Sequence, residues 1–97
     1  MEDQTALFRL RAMIVDGCRI SWEVPHAKQR ANERHIPLFA AERIIRQAQA
    51  LRITMAGDGT QTWRVSGFDP DERPIDVVVF PASQNTLRVI TVIRTDE

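Results

Sequence analysis

Apolar positions along the chain recur first every three to four residues and later every second residue. Leu7, Leu10 and Ile14 stand at helical spacing; Asp3 or Thr5 can cap their start and Gly17 offers a left-handed stop, which predicts a helix over 5–16. From 19 to 24 the period is two, with Ile20, Trp22 and Val24 alternating against Arg19, Ser21 and Glu23 as in a half-buried strand. Pro25 suits the first turn of a helix, because its φ is already helical and its missing N–H would have had no partner there. That helix is predicted over 26–35 and is interrupted at Ile36-Pro37, since a residue before proline is driven out of the α region. A third helix over 38–50 carries Ala41, Ile44, Ile45 and Ala48 on one face and Glu42, Arg43, Arg46 and Gln47 on the other.

Strands follow, predicted over 52–56, 61–68, 75–80 and 86–94. Gly57-Asp58-Gly59 is a hairpin turn, Asp69 to Pro74 a polar loop, and Pro81 to Asn85 a second turn. The run Ile75 to Phe80 is apolar on both sides, as suits a central strand. In the last strand Thr91 is the polar interruption of an apolar set formed by Leu87, Val89 and Ile93. Short connections make these four strands an antiparallel meander. The fold class expected is a single α+β domain over 1–97, its N-terminal helices packed on one face of an antiparallel sheet of four to five strands.

Length and composition agree with one domain: 97 residues hold one core, and 43% hydrophobic with 27% charged residues is ordinary for a globular chain. The acidic start and the short apolar run Ala12 to Val15 fit neither a secretory leader nor a membrane span, which predicts a cytoplasmic protein. The single Cys18 agrees with a reducing compartment and, lacking a basic or aromatic frame, reads as a small buried side chain rather than a nucleophile. Formal net charge is zero, but between His26 and Arg52 six basic residues face two acidic ones, a local surplus of four positive charges. Such a field suits a phosphate-bearing ligand or an acidic partner.

The concentrated chemistry is the row His26, Arg30, Arg34. At about 100° per residue these fall near 0°, 40° and 80°, beside Ala27 and Ala31 and away from Lys28, Gln29 and Asn32. The row therefore runs along the seam between helix and sheet. Arginine forks grip phosphate oxygens at two points, and histidine is the side chain able to exchange a proton near neutrality. One proton-transfer group beside two fixed cations is a minimal apparatus for metal-free RNA cleavage through the ribose 2′-hydroxyl. Lys28 and Arg64 are further candidate phosphate contacts. His26, His35 and Cys18 lack the paired spacing of a zinc site, and no glycine-rich phosphate loop occurs, so neither metal nor cofactor is expected.

The stretch Pro25-His26-Ala27-Lys28-Gln29-Arg30-Ala31-Asn32-Glu33-Arg34-His35-Ile36 resembles the signature of a bacterial domain of unknown function, family 4258. Trp63-Arg64-Val65-Ser66-Gly67, Pro74 to Val79 and Val89-Ile90-Thr91-Val92 resemble its strands, and His26, Arg30, Arg34 and Thr91 fall on its characteristic positions. The chain departs from the pattern at His35, where the family often has glycine, and at Pro37, where it often has a capping serine. The family pattern is similar to small ribonuclease toxins of RelE- or barnase-like fold. This similarity implies a metal-independent endoribonuclease, with RNA as substrate and a DNA-binding antitoxin encoded nearby as partner. His26 would act as base or acid, Arg30 and Arg34 would hold the scissile phosphate, and Thr91 would orient one of them. The other reading is a non-catalytic module that docks a partner protein through its basic helices or a sheet edge.

Overall fold

The computed structural model describes residues 3–22, 26–55 and 57–96. Its elements are α1 (Gln4–Val15), β1 (Arg19–Ser21), α2 (Ala27–Glu33), α3 (Leu38–Arg46), β2 (Ala50–Met55), β3 (Gln61–Phe68), β4 (Pro74–Ser83) and β5 (Thr86–Arg94). The fold is α+β: the described residues form three helices and one five-stranded sheet in the order β1-β5-β4-β3-β2. Val24 and Pro25, expected at a strand end and a helix start, lie outside the described residues.

Helix α1 ends where its sequence says it should. Asp3 accepts a hydrogen bond from the Ala6 N–H at 2.8 Å. At the other end Gly17 (φ 78) lets its own N–H reach the Ile14 carbonyl, and the Cys18 N–H reaches that of Met13. That pair of bonds is the left-handed helix stop that glycine makes without steric cost.

The sheet is mixed. β2 through β5 form the expected antiparallel meander, with β4 central. β1 instead joins β5 in parallel, pairing only with Thr86 to Arg88. An all-antiparallel sheet therefore needs correcting by one strand. Three alternating residues carry no sign of partner or direction. The long route from β1 to β5 also places no hairpin constraint on their relative direction.

Register fixes which side chains share a face. Leu51, Trp63, Val65, Ile75, Val77, Val79, Leu87, Val89 and Val92 point into the core beneath the helices. Leu10 of α1 and Ile45 of α3 are fully buried against them. At Gly67 an added Cβ would stand 2.8 Å from the Ile44 side chain, so α3 can lie this close to β3 only over glycine. On the opposite face stand Arg52, Arg64, Asp76, Val78, Phe80, Thr91 and Ile93, which no helix covers among the described residues. No helix of the described residues is long and apolar enough to cross a membrane.

Candidate functional site

The site is built at the free edge of β5. Because β1 stops at the partner of Arg88, the rest of that edge is left to α2. Ala27 and Ala31 are fully buried, and their small size allows α2 to approach the strand closely. Arg34 Nη1 donates to the Val92 carbonyl at 2.5 Å, satisfying an edge group that a sixth strand would otherwise seek.

The helix is shorter than its sequence suggests, covering 27–33 rather than 26–35. His26 is its N-cap without a side-chain cap bond, and Arg34 is its C-cap. Termination comes from His35, which takes a left-handed conformation (φ 56). Its N–H bonds to the Asn32 carbonyl, and that of Ile36 bonds to the Ala31 carbonyl. The break before Pro37 thus falls one residue earlier than proline alone requires. The residue in the left-handed position is the histidine that stands where glycine is common in the resembling pattern.

This geometry sets the row against Thr91. His26, Arg30, Arg34, Ile90, Thr91 and Ile93 line one open cleft of about 430 Å3. Among the described residues no carboxylate lines it. Arg30 is exposed and makes no ion pair among the described residues. The exposed His26 ring has its Nδ1 3.4 Å from Gln29 Oε1, and Gln29 is in turn tied to Glu33 at 2.9 Å.

Thr91 arrives by a route different from the one its spacing suggested. Val79 pairs with Val89 and Val78 pairs with Thr91, which leaves Ile90 as an extra residue in the ladder. The bulge resets the alternation. Leu87 and Val89 therefore face the core with Val92, while Thr91 and Ile93 face the uncovered side. The apolar set of Leu87, Val89 and Ile93 does not exist as one face.

The two further phosphate candidates do not join the cleft. Lys28 is exposed on α2 and does not line it. Arg64 lies on the uncovered face of β3, ion-paired through Nε to Asp76, and Arg52 contacts the same carboxylate at 3.4 Å. These residues belong to a second and larger cavity of about 710 Å3.

The family model of a domain of unknown function (DUF4258) matches residues 25–94, well over half of the chain. The chain belongs to this family. No curated protein and no solved structure matches it. The DUF4258 span begins just before the row and ends at Arg94, so cleft and bulge lie within it while α1 and β1 lie outside.

Within the DUF4258 span the structure also shows a pair that the sequence did not announce. Arg94 is buried on the core face and donates Nη1 to Asp69 at 2.9 Å. Its Nε donates to the Arg34 carbonyl at 2.7 Å and its Nη2 to the His35 carbonyl at 3.0 Å. It thereby pins the end of α2 to the end of β5. Asp69 also accepts from the N–H groups of Asp71 and Arg73, both at 2.9 Å. The hydrogen bond from Arg94, followed by that from the Arg73 backbone, holds the Asp69 carboxyl below its ordinary range. Nothing in a terminal strand arginine and a loop aspartate, 25 residues apart, marks them as partners; a tight loop nucleated by an aspartate is the faint available signal. Cys18 is buried, and desolvation pushes its thiol upward, the reverse of an activated nucleophile.

Proposed function

We propose that this DUF4258 domain is a metal-independent endoribonuclease, the toxin of a toxin–antitoxin pair that acts on cytoplasmic RNA. Convergence carries the reading. His26, Arg30 and Arg34 meet Thr91, from the far end of the chain, around one open cleft that holds no carboxylate among the described residues. A site lined by cations and one imidazole favours a phosphodiester.

In this mechanism His26 takes the proton of a ribose 2′-hydroxyl as that oxygen attacks the adjacent phosphorus. The bond from phosphorus to the 5′-oxygen breaks, and the leaving oxygen takes a proton from solvent. The products are a 2′,3′-cyclic phosphate and a 5′-hydroxyl. Arg30, whose guanidinium makes no ion pair among the described residues, holds the charge growing on the non-bridging oxygens. Arg34 has one nitrogen on the Val92 carbonyl, so it anchors the row to β5 and offers its remaining donors to the phosphate. The Thr91 hydroxyl, on the opposite wall, orients one of these two arginines toward the phosphate.

The test is cleavage of a labelled RNA by purified protein in the presence of a chelator. Wild type should yield cyclic-phosphate ends, and His26→Ala should lower the rate by about a hundredfold or more, the scale of a lost proton-transfer group. Replacing the target ribose by deoxyribose should stop the reaction. No cleavage by wild type, or equal cleavage by His26→Ala, sinks the reading. One observation favours the non-catalytic alternative: Phe39, 64% exposed, stands one turn before Arg43 on the basic helix α3. A docking module would bind the product of the neighbouring gene equally well with or without His26, and would leave RNA whole.

A further inference from the structure

The larger cavity opens where α3, through Arg43, Ile44 and Gln47, meets the β2–β3 end of the sheet face that carries Thr91, and register joins it to the cleft. Arg52 is the cross-strand partner of Arg64, Arg64 of Val78, and Val78 of Thr91. These four positions form one row perpendicular to the strands, ending at the wall opposite Arg30. With neighbouring strands about 4.8 Å apart, Arg52 stands roughly 14 Å from Thr91.

Charge along this row is lopsided. Among the described residues the larger cavity is lined by Arg43, Arg52 and Arg64 against one acid, Asp76. Two arginines directly opposite each other across a strand pair repel. One buried carboxylate shared between them leaves a surplus, to which Arg43 adds. The cleft at the other end contributes Arg30 and Arg34, with no acid among the described residues. Among its described residues, a chain of zero net charge has thus collected five arginines and one aspartate around two openings joined by one row of the sheet. Phe68, 63% exposed, lines the larger cavity beside these cations. An exposed aromatic ring within a basic groove is the arrangement on which an unpaired base stacks while its phosphates are held.

We infer that the uncovered sheet face is a track for single-stranded RNA, with the cavity around Arg43, Arg52, Arg64 and Phe68 as a nucleotide subsite a few nucleotides from the bond addressed by the cleft. The inference rests on the reading of the cleft as RNA-directed and adds the substrate class. The strand must be unpaired, because a base already stacked in a duplex cannot lie on Phe68. Asp76 keeps Arg52 and Arg64 extended over the face rather than acting on the ligand itself.

Binding is measured by fluorescence anisotropy with a labelled, single-stranded 2′-O-methyl oligoribonucleotide, which cannot be cleaved through its 2′-oxygen. The double variant Arg43→Gln/Arg52→Gln should lose affinity at least tenfold. Its salt dependence should flatten by about 1.4 in the slope of log K against log salt, roughly 0.7 for each phosphate of a single strand that is no longer neutralised. Phe68→Ala should weaken binding about tenfold, as removal of a stacking platform does. All three substituted side chains are exposed, so unchanged thermal midpoints confirm that the variants are folded. Wild-type affinity in these variants overturns the track, as does a mononucleotide that competes as well as the oligomer, which would mark a pocket for a free nucleotide. Variant-sensitive binding without cleavage of ordinary RNA retires the reaction and keeps the track. Cleavage with binding indifferent to the variants does the opposite.

Discussion

Two arginine clusters sit at the β5 edge, and they are built on opposite terms. Around Arg94 every guanidinium nitrogen has an acceptor, and the Arg94 and Asp69 side chains are 5% and 4% exposed. Around Arg30 the donors are open: the side chain is exposed and, among the described residues, has no ion pair and shares with His26 a cleft lined by no acid. Arg34 stands between them, one nitrogen tied to the strand and the rest of its fork toward the cleft. Saturated donors hold a fold together, whereas unsatisfied ones are available to a ligand. The same residue type serves both ends, and only its partners tell which.

The largest effect should come from breaking the saturated cluster. Arg94→Met leaves a buried carboxylate and two carbonyls without their donor and should cost about 3 kcal/mol in denaturant unfolding. Arg30→Met on the neighbouring helix should change stability by less than about 0.5 kcal/mol. Equal losses in the two variants would erase the distinction.

Acid should dissolve the same contrast by another route. Folding lowers the Asp69 carboxyl below its ordinary value, through Arg94 first and the Arg73 backbone second. The unfolded chain therefore binds the proton more readily, and the stabilisation is complete above the unfolded value near pH 4. It drains away as pH falls through that value and then through the lower folded one. Asp58 and Asp96 are lowered as well, by Thr60 and Arg73 respectively, so the informative quantity is a difference. Thermal midpoints of wild type and Arg94→Met should converge as pH drops below about 4. A gap that stays constant to about pH 2 would mean that Arg94 acts through the carbonyls of Arg34 and His35 alone.

The smallest effect sharpens the account of how α2 stops. His35→Gly should stabilise the chain by up to about 1 kcal/mol, since glycine takes the left-handed angle without steric cost while loosening the unfolded chain. Cleft chemistry should be unmoved, because His35 does not line it. A destabilised variant would show that the His35 ring holds the junction in its own right.

These contrasts also mark what a sequence can carry. The helices, the meander and the seam position of His26, Arg30 and Arg34 are local periodicities, and each is present in the structure. Thr91 was legible as an anomaly but not in its placement, because a bulge at Ile90 leaves no trace in alternation when the residues around it are all strand formers. The parallel pairing of β1 is a long-range choice made by three residues. Arg94 and Asp69 look like a strand end and a solvated loop until the chain folds and brings them together. The larger cavity draws Arg43, Arg52, Arg64 and Phe68 from three elements, so no spacing along the chain could have named it.

The extra residue in β5 also bears on how such a chain can vary over generations. Ile90 is supernumerary, so losing it would leave Val89 opposite Val79 and Thr91 opposite Val78. Most single-residue deletions in a strand buried on one face turn every following side chain to the wrong side. Here the ladder would close up with both halves still correctly oriented, and only the local twist and the depth of the cleft wall would change. The length of β5 is thus open to inheritance by insertion and loss at one position. A lineage could gain or shed the cleft's shape there without first having to rebuild its core.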